Sequence, residues 1–257
     1  MQLITMKKTS QIFLIILLAS TAQLRADESL PAPFEASYKI FKKGTEVAIM
    51  QRSLSQIDNG EFIYRSETKS TCLVSIFYKL HILEESHWHL QDQQLQPLVY
   101  SFKRIKKKKK SNKKTIFDWK INQAHFVGNG IKSSFDLEPG MTDKLLYQIN
   151  VMRDLKMGHH PTTYTVVDGM KIKTYHFDYL GEEFIDTPIG RFNTIKITRQ
   201  KPGKKGNTIL WCASELNYLP IKVENIDDDG SITTAMIDTL TGLNQPEENY
   251  LSTENSE

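Results

Sequence analysis

The stretches VAIMQRSLSQI (residues 47–57), DNG (58–60) and FIYRSETKSTC (62–72) decide the fold. Each flank is a run of aliphatic, aromatic and β-branched residues, the composition of an extended strand. Between them, Asp58-Asn59-Gly60 supplies residues that tolerate the positive φ of a tight turn joining two twisted strands. The segment predicts a β-hairpin, and the same pattern continues in both directions. Upstream, Phe34 to Ile40 alternates imperfectly and turns at Lys43-Gly44. Downstream, strands are expected at 76–90, 98–105, 115–121, 163–167, 171–180, 191–200, 207–214, 220–226 and 231–237. Asp168-Gly169, Gly203 and Asp229-Gly230 supply turns among them.

One helix interrupts the series, predicted over 142–156. Thr142 is placed to cap its free amides, Asp143 suits the positive end of the helix dipole, and Gly158 follows as a stop. Leu145, Leu146, Ile149, Met152 and Leu155 recur every three or four residues and form one apolar stripe. The expected fold is mainly β: a large curved antiparallel sheet, a rolled or half-barrel meander, with this amphipathic helix packed on it.

Residues 1–26 read as a secretory signal peptide. Lys7 and Lys8 precede an apolar run from Ile12 to Ala19, and small residues lead to cleavage after Ala22 or Ala26. That run is far shorter than the roughly 20 residues that cross a bilayer. Neither cut leaves a cysteine at the new N-terminus for a lipid. Residues 27–243 are expected to form one antiparallel β domain, and 244–257 a disordered acidic tail. Export places the protein in the periplasm, where Cys72 and Cys212 can form a disulfide; the alternative is two separate buried thiols.

The chain carries 33 Lys and Arg against 30 Asp and Glu, and cleavage after Ala26 removes Lys7, Lys8 and Arg25 but no acid, which makes the two equal. Of the remaining cations, Lys103, Arg104, Lys106, Lys107, Lys108, Lys109, Lys110, Lys113 and Lys114 crowd into residues 103–114. The pI of 8.6 is thus set by the leader and one tract, and argues for no nucleic-acid-binding fold. Predicted strands flank the tract, so it belongs at a hairpin tip. Lys106 to Lys110 are the candidate contact for an anionic membrane surface; the other reading is a solvated tip. No aromatic residue lies inside the tract to stack on a base.

Several segments together resemble a known family. They are Gln96-Pro97-Leu98, Phe117-Asp118-Trp119, Pro139-Gly140-Met141-Thr142-Asp143, Asp168-Gly169, Gly181-Glu182-Glu183, Thr187 to Thr194, Trp211-Cys212-Ala213 and Leu219-Pro220-Ile221-Lys222. Their order and spacing resemble the exported bacterial family catalogued as domain of unknown function 3108, over roughly the whole mature chain. The resemblance implies export and a β fold. That family has no established activity, so no catalytic residue is carried over.

Among chemistry-bearing residues, His81, Glu85, His87 and His89 fall at even spacing on one predicted strand and share a face if it is regular. Two histidines at i and i+2 with a carboxylate are zinc or copper ligand types, and His159-His160 is the nearest candidate to complete the shell. The competing reading is an outward polar face, which the lack of a second cluster favours. Glu182, Glu183 and Asp186 offer paired carboxylates, but neighbours on a strand face opposite ways. No nucleophile elbow, phosphate loop or zinc-protease motif occurs. No cofactor and no catalytic residue are assigned. The expectation is a non-enzymatic envelope protein holding an apolar or amphiphilic ligand, with a scaffold lacking a ligand cavity as the alternative.

Overall fold

The computed structural model describes residues 29–77, 79–200, 203 and 205–243. The expected leader and acidic tail lie outside the described residues.

Fifteen strands form one sheet. They are β1 (Phe34–Lys42), β2 (Thr45–Gln56), β3 (Glu61–Ser70), β4 (Leu80–Gln91), β5 (Gln94–Lys106), β6 (Lys109–Asp118), β7 (Gln123–Gly128), β8 (Ile131–Asp136), β9 (Thr142–Asp143), β10 (Thr163–Asp168), β11 (Lys171–Thr187), β12 (Gly190–Gln200), β13 (Asn207–Ala213), β14 (Leu219–Ile226) and β15 (Ile232–Thr241). Among the described residues two α-helices accompany them, α1 (Cys72–Phe77) and α2 (Tyr147–Lys156). The spatial order is β8-β7-β6-β5-β4-β3-β2-β1-β15-β14-β13-β12-β11-β10-β9. Two meanders therefore meet at the centre, where β1 pairs antiparallel with β15. Only the short β9–β10 pair runs parallel. The sheet is not closed, and β8 and β9 are its edges.

Strand alternation sets the inner face. On β1 and β2 the buried positions are Phe34, Ala36, Tyr38, Ala48, Met50 and Leu54, all of one parity. The predicted turn stands as read: Asn59 and Gly60 hold φ of 66° and 75° between β2 and β3. The same chemistry at Asn129-Gly130, with φ of 51° and 81°, joins β7 to β8, a hairpin missing from the expected strands.

Helix α2 is enclosed rather than laid on a surface. Leu145 and Leu146, just before it, and Ile149 and Met152 on it join the main core with Tyr38, Tyr64, Trp88 and Tyr100 of the N-terminal meander and Phe192, Ile221 and Ile237 of the C-terminal one. Tyr147, Val151 and Leu155 form a second stripe, spaced by four, against Val166, Tyr175, Phe177, Ile197 and Leu210 of the C-terminal meander. Each buried side chain of this size contributes on the order of 2 kcal/mol of hydrophobic free energy, so the helix ties both halves together.

Two boundaries correct the expected ones. Thr142 and Asp143 do not open the helix: they pair with Val166 and Val167 as β9. Asp143 still holds the helix entry, because its Oδ1 accepts the Leu145 and Leu146 N–H groups at 2.7 and 2.8 Å. The second correction lies at 72–77, where α1 takes the end of the strand expected to reach Cys72 and the start of the one expected from Ile76, so that β4 begins at Leu80.

Candidate functional site

Reading across the inner face by register, Ala36 faces Arg52, Arg52 faces Ser66, Ser66 faces Glu84 and Glu84 faces Phe102. The adjacent inner row runs Leu54, Tyr64, Ser86, Tyr100, Thr115 and Phe126. An otherwise apolar face thus carries a polar seam, and α2 covers it. Helix residues contribute from above: Gln148 Oε1 accepts from the Tyr64 hydroxyl at 3.5 Å.

Most groups of the seam are satisfied. Tyr100 donates to Glu84 at 2.5 Å, and the Lys144 ammonium donates to the same Oε1 at 3.4 Å. The Ser86 hydroxyl donates to Asp143 Oδ2. Burial pushes the Asp143 carboxyl up to about 6, against the hydrogen bonds from Ser86, Leu146 and Leu145 that favour its charged form. Burial raises the Tyr38, Tyr64 and Tyr100 phenols above their ordinary value. Farther along, Arg199 donates to the Tyr147 hydroxyl at 2.7 Å and to Thr208 at 3.0 Å, with its guanidinium 4.5 Å from the Tyr175 ring centroid. Arg153 on α2 finds Ser29 and two oxygens of Gln93 at 2.7–2.8 Å.

Arg52 differs. Its Nε and Nη1 are buried and have no hydrogen-bond acceptor, and the buried Trp88 Nε1 likewise has none. The guanidinium lies 5.5 Å from the Tyr38 ring centroid and interacts with Tyr64, Tyr147 and, electrostatically, Glu84. Arginine stays protonated in proteins. The seam therefore presents a fixed cation with open donors among phenols. It is built to hold charge, since Ser86 spends its proton on a carboxylate already fixed by two amides.

Near the edge of the seam, Tyr100, Phe102, Lys113, Phe126, Lys144 and Asp168 line a small pocket of about 30 Å³, room for about one water. Lys113 and Lys144 lie 5.8 and 5.2 Å over the Phe102 ring. On the opposite face of the sheet, Glu35, Ser37, Gln51, Ser53, Arg65 and Glu67 line a polar groove of about 250 Å³, which Arg52 also borders.

The expected site residues are placed as follows. His81, Glu85, His87 and His89 do share one face of β4, but they are not brought together as a metal set. His81 pairs with Glu67 Oε1 at 2.7 Å, Glu85 sits 3.6 Å from Arg65, and His89 meets Gln96 at 3.1 Å. A strand advances about 3.3 Å per residue, so ligands spread from 81 to 89 cannot converge on one ion. Among the described residues no group of three or more His, Cys, Asp and Glu is placed to hold a metal. The Cys72–Cys212 bridge is also corrected: both thiols are free, Cys72 exposed on α1 and Cys212 buried inside β13. The lysine tract does form a hairpin tip, with Lys106 paired to Lys109 across the β5–β6 turn and residues 106–110 exposed. Glu183 is partnered: it accepts from Trp211 Nε1 at 2.7 Å and Lys196 at 2.8 Å.

Arg52 and Glu84 were missed from the sequence, yet a signal existed. Arg52 has the parity of Ala48, Met50 and Leu54, and Glu84 that of Ile82, Ser86 and Trp88. A charge at a core parity stands out more sharply than four histidines on the outward one.

Comparison with curated proteins gives no match. Among solved structures, a β-barrel-like protein of the domain of unknown function DUF1849 from Brucella abortus aligns with a TM-score of 0.56 and 8% identity, over 82% of this chain and 98% of that one. That similarity supports a shared barrel-like fold and nothing finer. A chain described as an exported protein with a YmcC-like fold from Bacteroides fragilis aligns over 82% of this chain and 99% of its own, at 8% identity, with a TM-score of 0.32 that carries no argument. A family model spans β1 to most of β15, residues 33–237, and by that match the chain belongs to the family described as protein of unknown function, DUF3108.

Proposed function

We propose that this protein is an exported, non-enzymatic component of the cell envelope, resident in the periplasm, that holds an amphiphilic ligand at the polar seam of its rolled sheet, beside the groove of about 250 Å³ that Arg52 borders. The polar seam carries this reading. Charged and phenolic groups cross an apolar sheet face under a buried helix, and such a surface suits a molecule with one polar end and one apolar end. The leader-like N-terminus supports export. The test is to purify the exported chain under mild conditions, extract it with organic solvent and analyse the extract by mass spectrometry. A reproducible, near-stoichiometric amphiphile is expected; an extract matching the buffer control overturns the reading.

The alternative, an envelope scaffold, draws on a different observation. Tyr179, Leu180 and Phe184 are exposed on the long strand β11, with Arg191 5.1 Å over the Phe184 ring. A scaffold would use that arm, and substitution of Phe184 and Leu180 by serine would then abolish co-purification of a partner without altering any bound amphiphile.

A further inference from the structure

We infer that Arg52 is the recognition group for an oxyanion, the carboxylate or phosphate head of a bound amphiphile, an assignment that rests on the ligand-holding reading above. Three observations carry it. The first is an imbalance of partners: Arg153 and Arg199 are both hydrogen-bonded, whereas Nε and Nη1 of Arg52 are buried without an acceptor. Nε–H and Nη1–H leave the guanidinium on different sides, and each is open to donate a charge-assisted hydrogen bond to one oxygen of a carboxylate or phosphate.

The second is what surrounds the guanidinium. Across β1 from Arg52 stands Ala36, a small side chain, and across β3 stands Ser66, a hydroxyl able to donate. Tyr38 and Tyr64 interact electrostatically with Arg52, but their hydroxyl protons are given to Pro220 O and Gln148 Oε1, so Ser66 is the neighbouring donor able to join Arg52 on an anion. Glu84 is the nearest carboxylate on the inner row, and it is already engaged by Tyr100 and Lys144.

The third is energetic. A buried charge with open donors is strongly unfavourable unless something pairs with it, so its presence opposes the stability of the empty protein. The cation is retained where an apolar residue would pack better, and an anion arriving from outside relieves the imbalance.

The test is titration of the exported chain with decanoate, monodecyl phosphate, decyl maltoside, acetate and inorganic phosphate, for wild type, Arg52→Met and Arg52→Lys. Wild type is expected to bind the two anionic chains at least tenfold more tightly than decyl maltoside. Arg52→Met should lose that preference and keep its affinity for the maltoside. Its empty form should melt no lower than wild type, and decanoate should raise the melting temperature of wild type alone. Arg52→Lys, which keeps the charge but loses the planar set of donors, should keep only part of the preference. Equal binding of charged and uncharged chains by wild type, or an undiminished preference in Arg52→Met, overturns the assignment while leaving the amphiphile reading intact. If no chain binds but phosphate or acetate does in an Arg52-dependent way, the oxyanion site stands and the amphiphile reading falls. If nothing binds, both fall.

Discussion

The Ser86 hydroxyl donates to the Asp143 carboxylate and thereby joins the inner face of β4 to the entry of α2. Asp143 is fully buried, and its folded carboxyl titrates near 6, raised by burial from an ordinary 3.8. The folded state therefore binds this proton more tightly than the unfolded chain does. Its contribution is fully present below about pH 4 and is lost as pH rises to about 6, by about 3 kcal/mol. Denaturant melts at pH 4, 5, 6 and 7 should show that decline, and Asp143→Asn should flatten it. A wild-type profile that is level over this window would contradict the assignment.

Glu67 titrates with the opposite sign. The Lys69 ammonium, with His81 and Arg65, holds its carboxyl down to about 2, below an ordinary 4.5. Its stabilisation is present above about pH 4.5 and is lost as pH falls toward 2. Glu67→Gln should shrink the acid limb of the stability profile and leave the pH 4–6 limb unchanged. Loss of both limbs together would show that the two carboxyls are not independent.

Leu146 has no exposed surface and lies in the main core cluster, which draws on both meanders. Leu146→Asp would place a carboxylate there without a partner and should cost several kcal/mol, enough to lower the melting temperature by roughly 10 °C or more or to abolish cooperative unfolding. Leu155→Ala, on the side facing the C-terminal meander, should cost about 2–5 kcal/mol. If neither destabilises, the helix is not enclosed by the sheet.

The thiols provide a check on the fold itself. Cys72 is exposed, whereas Cys212 is buried and burial pushes its thiol well above the ordinary value. Native protein should release one equivalent of chromophore from an aromatic disulfide reagent, and denatured protein two. Two equivalents in the native state would mean that β13 is open.

The meander, its turns and the one long helix are legible in the sequence because each rests on short-range signals: Asn59-Gly60, the run 145–155, Gly158. What short-range signals do not carry is which strand lies across from which. Asp143 looks like a helix residue, but Val166 and Val167 draw it and Thr142 into β9. The second stripe of α2 was overlooked because Tyr147 is aromatic with a polar end, and its burial depends on Tyr175 and Phe177 arriving from the far meander. The histidines of β4 drew attention through side-chain type alone. Parity against Trp88, buried on the other face, already turns them outward toward Glu67 and Arg65. Arg52 is invisible to motif reading, because an arginine becomes a site only when its neighbours fail to satisfy it.

The last expectation concerns the β5–β6 tip. Lys103, Arg104, Lys106 to Lys110, Lys113 and Lys114 lie within residues 103–114, and Lys106 to Lys110 are exposed at the turn. Charge of one sign at one end of a molecule whose remainder is acidic orients it tip first toward phosphate-bearing surfaces, at about 1 kcal/mol per near-surface lysine. Such contacts act across a Debye length of about 8 Å at physiological ionic strength and about 3 Å at 1 M. Co-sedimentation with anionic liposomes should therefore fall steeply between low and high salt. A variant with Lys106 to Lys110 replaced by serine should lose most of the low-salt binding while its melting temperature stays within a few degrees of wild type, because the tip buries no core residue. Binding that is equal in the two proteins, or indifferent to salt, would reduce the tract to a solvated turn.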